Sequence, residues 1–167
     1  GATGRTRFQK VHEFDADSRH LVLLCRNEEG YRNLSYMVSQ AYLEGFYIKP
    51  RIDMDLLREH AGGLIACSAC LGGEVPKLLA AGDYDKAKEV ALEMRELFGA
   101  DGYYLELQDH GIPVQRQVNG GLIRLHEETG IPWWPPTTPT ICGKRTRRCR
   151  TSSCASRWAR RWMTQTG

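Results

Sequence analysis

Two short stretches carry the residues best suited to chemistry: LIACSACLGG, with Cys67 and Cys70, and YYLELQDHG, with Glu106, Asp109 and His110. Cys67 and Cys70 make a single Cys-x-x-Cys spacing. A structural zinc site would need a second pair, and a redox dithiol would need a helix N-terminus behind it; neither pattern is present. Cys70 sits in a glycine-rich turn past an apolar run, where α/β proteins place functional groups. Gly72 and Gly73 lack the spacing and the Lys-Ser/Thr of a phosphate loop. His20 opens the run HLVLLC, and by residue type alone a satisfied structural histidine is the favoured reading over a ligand. For Glu106, Asp109 and His110 two readings stay open, a hydrogen-bonded loop network or a contribution to an active site. His60 and His126 fall on helical segments and are expected to face solvent.

These residues need elements to position them. His20 to Cys25 is a short apolar run suited to a strand buried on both faces. Asn27 can cap the helix that comes next, in which Tyr31, Leu34, Val38 and Ala41 form an apolar stripe and Gly45 marks the stop. Residues 46–50 read as extended. Asp53 caps a short helix to about His60, ended by Gly62-Gly63. Leu64 to Cys67 is a second strand, and Glu74 to Ala81 a short helix. Asp83 caps the most regular helix, with Tyr84, Ala87, Ala91, Met94 and Phe98 on its apolar face. Tyr103 to Leu107 is a third strand, and Val114 to Thr129 a helix with Val118, Leu122 and Leu125 inward. Ile131-Pro132 should open a fourth strand, but that strand is not expected to form, because two prolines stand just beyond, where a buried parallel strand needs ladder donors. The order of elements predicts a parallel α/β sheet or part of a (β/α) barrel.

Composition divides the chain after Pro132. Residues 1–132 hold 15 Lys/Arg and all 20 Asp/Glu, a net charge of −5. Residues 133–167 hold 8 Lys/Arg and no acid, a net +8, with all 4 tryptophans and 3 of the 6 cysteines. The overall +3 therefore gives no support to a nucleic-acid surface on the first part. Interleaved Arg and Trp could grip phosphates and stack on bases. Without helical or strand period, however, this basic tail is expected to be disordered. No apolar run is long enough for a membrane helix, and the opening lacks the pattern of a secretory signal. Cys25 and Cys67, inside apolar runs, are expected to be buried free thiols, which implies a reducing, cytoplasmic setting. The chain opens on Gly1 rather than Met, as expected for one that begins partway through a longer product.

The segments RHLVLLCRNEEGYRNL, EGFYIKPRIDMDLL, GLIACSACLGGEVPKLLAAGDYDKAKEVALEMRELFG and YYLELQDHG, in that order, resemble the catalytic alpha subunits of bacterial replicative DNA polymerase III. The resemblance covers about residues 19–132 and falls in the amino-terminal polymerase-and-histidinol-phosphatase (PHP) domain. It implies a variant (β/α) barrel, here incomplete at both ends, whose strand ends can hold metal ions through His, Asp, Glu and sometimes Cys. By the family's ligand order His20 resembles the central histidine and Cys70 the His-or-Cys position. Glu106 resembles a polar strand-end residue with no assigned role. The family's opening His-x-His precedes this chain's start, and WWPP stands where its closing Asp-x-His segment should begin. A competent cluster needs most of its ligands in one shell, so no stable metal binding is expected of this chain alone. For the parent the resemblance implies template-directed DNA synthesis with Mg, and Zn or Mn in the PHP domain. The implied partners are DNA, deoxynucleoside triphosphates, the sliding clamp and other replisome subunits, with no membrane.

The family continues after Ile-Pro with Val-Val-Ala-Thr-Asn-Asp-Ala-His-Tyr-Leu. Trp133-Trp134 requires TGG TGG, and reading the codons of the tail one nucleotide earlier permits that whole continuation. Ser152 to Ser156 read the same way permits Val-Leu-Leu-Cys-Ile, and Trp162 to Thr164 permits Val-Asp-Asp. Residues 133–167 thus read as an out-of-frame translation, caused by one lost nucleotide near codon 133 or by a gene-prediction error. Two rival functions are a stand-alone PHP-type phosphoesterase, which would carry every ligand motif, and a non-catalytic nucleic-acid-binding fragment that relies on the basic tail.

Overall fold

The computed structural model describes residues 18–46 and 49–134. The basic tail beyond Trp134 and most of the opening loop lie outside the described residues, as does part of the extended stretch at 46–50. The elements run β1 (Val22–Cys25), α1 (Glu28–Leu43), α2 (Met54–Glu59), β2 (Leu64–Cys67), α3 (Glu74–Ala80), α4 (Tyr84–Phe98), β3 (Tyr103–Tyr104) and α5 (Pro113–Thr129). The result is an α/β domain with a small open sheet in the order β1-β2-β3, flanked by helices.

Local chemistry sets the helix boundaries. Asn27, Asp53 and Asp83 each accept a hydrogen bond from a backbone N–H in the first turn of the helix behind them, Gly30, Leu56 and Lys86 respectively. Each cap satisfies one of the donors a helix start leaves unpaired. Gly130 closes α5 at φ +69°, a left-handed conformation that favours glycine. Pro113 opens the same helix, where its missing N–H costs nothing.

The sheet departs from the all-parallel expectation. β2 and β3 are parallel, with Ala66 opposite Tyr103, but β1 runs antiparallel to β2, with Val22 opposite Cys67 and Cys25 opposite Leu64. Nor is β1 buried on both faces: Val22 and Cys25 are exposed and the two leucines between them half-buried. A short apolar run fixes neither strand direction nor the number of covered faces. The stripe on α1 also shifts. Tyr31 and Val38 are exposed, and the face turned inward is Gly30, Met37 and Ala41, with Leu34 at its edge. The cause is Gly30, whose lack of a side chain lets the first turn of α1 press against the backbone of Gly63.

Ile131 to Trp134 takes the place of the fourth strand. Leu105 donates its N–H to the Pro132 carbonyl at 2.9 Å, and Trp134 donates to the Leu105 carbonyl at 2.8 Å, so Leu105 and Trp133 pair in parallel. Strand pairing therefore continues past Pro132, although the apolar period of the sequence stops there. The main core lies between β2, β3 and helices α3 to α5. Ala66, Val75, Ala87, Ala91, Tyr103, Leu105, Leu122, Leu125 and Ile131 are all but fully buried in it. A smaller cluster of Met37, Leu56, Leu57 and Leu64 joins α1 and α2 to β2.

Candidate functional site

The strand-end loops form the site. Cys67 is the last residue of β2, and SACLGG then turns back over the strand ends before α3 begins. The turn is tightly determined. Ser68 donates its N–H to the Tyr104 carbonyl at 2.9 Å, and its Oγ accepts the N–H of Glu106 at 2.9 Å, tying the ends of β2 and β3 together. Ala69 is the only described non-glycine residue at positive φ, +63°. A left-handed alanine costs of order 1 kcal/mol, which the packing of its neighbours must offset. Gly73 donates to the Cys70 carbonyl at 2.8 Å, and a Cβ on Gly73 would lie 2.2 Å from the Ser68 carbonyl oxygen. Glycine at this position thus permits close approach within the turn.

His20 and Cys70, fifty residues apart in the chain, meet here. His20 donates its backbone N–H to the Gly72 carbonyl at 2.9 Å and pairs in parallel with Gly73. Arg19 is held to Glu74, at the start of α3, by an ion pair of 2.8 Å. These contacts lay the segment before β1 along the turn and bring His20 Nδ1 to 3.4 Å from Cys70 Sγ. The same Sγ accepts the Gly72 N–H at 3.4 Å. His20 is exposed and Cys70 half-buried.

The 3.4 Å contact is a hydrogen bond between imidazole and thiol, and its length also matches the separation of two ligands on one metal. Bonds of about 2.3 Å to sulfur and 2.0 Å to nitrogen at a tetrahedral angle hold the two donors about 3.5 Å apart. Two donors do not make a shell, however. Among the described residues no group of three or more His, Cys, Asp or Glu could hold a metal ion. The other two described cysteines take no part. Cys67 is buried, and burial, with Glu106 adding to it, pushes its thiol up to about 12, so it stays protonated. Cys25, expected to be buried, is exposed on the edge strand.

Beside Cys70 lies a small, half-open depression of about 10 Å3, walled by Ala69, Glu106, Gln108, Gln115 and Asn119 among others. Glu106 accepts from Gln108 Nε2 at 2.9 Å, and Asp109 accepts the N–H of Gly111 at 3.1 Å. Two buried amides on α5 hold the loop from beneath. Asn119 donates to the Gln108 carbonyl at 3.0 Å, and Gln115 Oε1 accepts the His110 N–H at 2.8 Å. Of the two readings of Glu106, Asp109 and His110, the hydrogen-bonded loop network is present. Gln115, Asn119 and Ser68 went unnoticed in the sequence. The signal for the first two was their register, since positions 115, 118, 119, 122 and 125 share the inward face of α5.

His60 and His126, expected in solvent, are half-buried. His60 stacks on Tyr36 and bonds the Leu56 carbonyl at 3.1 Å; His126 bonds the Ile131 carbonyl at 2.7 Å and lies against Trp133.

Known proteins resemble this chain closely. The alpha subunit of DNA polymerase III from Treponema pallidum is 50% identical over 113 residues, 68% of this chain and 10% of the relative. That of Deinococcus radiodurans is 52% identical over 112 residues, covering 67% and 8%. That of Thermus aquaticus is 46% identical over 112 residues, covering 67% and 9%. The chain thus spans about a tenth of the length of these curated relatives. The model of the PHP domain matches residues 6–110, and with that match the chain belongs to the PHP domain family and is homologous to DNA polymerase III alpha subunits.

Proposed function

We propose that this chain is a piece of the PHP domain of a replicative DNA polymerase III alpha subunit, and that its role in the parent is to carry part of that domain's metal-binding mouth. The observation that carries the reading is 42–52% identity over a stretch that makes up only 8–10% of the alpha subunits it matches. The parent adds deoxynucleotides to a primer end on a DNA template in the cytoplasm. In that reaction the primer's 3′-hydroxyl loses its proton and its oxygen bonds to the α-phosphorus of the incoming triphosphate as the bond to the departing pyrophosphate breaks; divalent metal, when bound by the parent, would supply Lewis-acid activation of the hydroxyl. Its partners are DNA, deoxynucleoside triphosphates, the sliding clamp and other replisome subunits. His20 and Cys70 are two ligands of the PHP cluster, and the remaining ligands come from elsewhere in the parent. The 3.4 Å approach of the two donors supports their sharing one ion.

Residues 1–132 form the domain piece, and residues 133–167 are translated out of frame. Support comes from composition, since residues 133–167 hold 8 Lys/Arg and no acid, and from the shifted codons, which permit the family's continuation. Antibodies raised against residues 19–132 test the reading in extracts of the source cells. The expected band is about seven to eight times the mass of this chain, while a band only at 18.9 kDa would overturn it.

A further inference from the structure

Gln115 meets His110 at both of its amide ends. Its Oε1 accepts the backbone N–H of His110 at 2.8 Å, and its Nε2 lies 3.0 Å from His110 Nδ1. The first contact determines the second. A backbone N–H can only donate, so it must face the amide oxygen, which turns the amide NH2 toward the imidazole. An NH2 group can only donate in turn, so Nδ1 must be the bare nitrogen. The proton of the neutral ring then sits on Nε2. Gln115 cannot escape this arrangement by turning to water, because it is only 4% exposed, inside the first turn of α5.

We propose that Gln115 locks His110 as the tautomer protonated on Nε2, making His110 a hydrogen-bond donor toward an acceptor oxygen and removing it from any metal-ligand set. A histidine that binds a metal through one nitrogen donates from the other, usually to a carbonyl or carboxylate. His110 has the reverse polarity: its second nitrogen accepts. His60 and His126 provide the contrast within the same molecule. Each directs Nδ1 at a backbone carbonyl, Leu56 and Ile131, which can only accept, so both carry the proton on Nδ1. Of the four described histidines, His60, His110 and His126 therefore divide by partner type, with His110 alone on one side, while His20 faces the Cys70 thiol. Gln115 acts through His110 and is a positioning residue. The tautomer of His110 rests on hydrogen-bond polarity alone and stands apart from the polymerase reading.

Long-range 1H–15N correlation spectra of the full chain at about pH 8, above the usual histidine range near 6.5, read the tautomer of each ring directly. Signals are assigned by loss in H60Q, H110Q and H126Q. The expected result is Nε2–H for His110 and Nδ1–H for His60 and His126. Gln115→Glu supplies a carboxylate that accepts from both the backbone N–H and the ring, so it should switch His110 to Nδ1–H. Nδ1–H or an equal mixture at His110 in the unaltered chain would overturn the proposal, whatever the variants do. So would a folded Q115E chain in which His110 keeps Nε2–H.

Discussion

Replacing Gly30 and Gly120 by alanine should move stability in opposite directions, although both lie within helices. At Gly120, in the middle of α5, a Cβ would meet no atom within 4 Å. The change removes a flexible residue from a helix interior and should stabilise by about 0.5–1 kcal/mol. At Gly30 a Cβ would lie 1.9 Å from the Gly63 carbonyl oxygen and 2.6 Å from its carbon. A carbon and an oxygen in contact sit about 3.3 Å apart, so the two backbones must separate by more than about 1 Å. That movement strains three hydrogen bonds: Arg26 N–H to Gly63 carbonyl at 2.8 Å, Asn33 Nδ2 to Gly62 carbonyl at 2.9 Å, and the Gly30 N–H to its Asn27 cap at 2.9 Å. At about 1 kcal/mol each, less at most about 1 kcal/mol of gained helix propensity, the net loss is about 2 kcal/mol. With a urea slope of about 1–3 kcal/mol per molar, the midpoint should fall by about 1 M. Urea unfolding of the full chain, followed by far-ultraviolet circular dichroism, measures both variants. A Gly30→Ala midpoint equal to or above that of the unaltered chain would refute the close approach of α1 to the Gly63 turn.

The remaining predictions concern the core, an ion-pair cluster and the thiols. Leu122→Ala should cost about 2–5 kcal/mol by leaving a cavity, because Leu122 is 1% exposed in the main core, whereas Leu43→Ala, at a 78% exposed position, should change stability by less than about 0.5 kcal/mol; thermal unfolding separates the two. The hydrogen bond from Lys88, then that from Arg124, holds the Glu128 carboxyl at about 2, below its ordinary 4.5. A lowered folded-state pKa stabilises above the unfolded value and is lost as pH falls from about 4.5 to 2. The stability difference between the unaltered chain and Glu128→Gln should therefore be complete at pH 7, shrink across that window and weaken in salt. Among the three described thiols, limited alkylation with peptide mapping should label the exposed Cys25 first, the half-buried Cys70 next and Cys67 only on unfolding. Early labelling of Cys67 would contradict its burial.

What could be read in the sequence was local chemistry or strong period. Asn27, Asp53 and Asp83 cap as expected because a cap needs only its own first turn. Ala87, Ala91 and Met94 face the core because α4 has one unambiguous apolar side. On α1, by contrast, apolar residues spread over more of the circumference than the core covers, so sequence spacing alone chose Tyr31 and Val38 over Met37. The antiparallel course of β1 depends on pairing with residues about forty positions away. At the site, the family resemblance brought His20 and Cys70 forward. Their meeting depends on Gly72, where a Cβ would strike the His20 ring at 2.7 Å. The left-handed Ala69 has no sequence signature, since alanine is not a residue that a turn of that kind usually selects.

The DNA sequence on both sides of this chain's coding segment, and through the codons for Gly130 to Pro135, tests the central claim most directly. A histidine-rich PHP opening is expected upstream. Downstream, the expected result is one missing nucleotide after Pro132 whose restoration reads Val-Val-Ala-Thr-Asn-Asp-Ala-His-Tyr-Leu and continues into polymerase sequence. A single intact frame through Trp133-Trp134 in an independent isolate, flanked by unrelated genes, would contradict that claim.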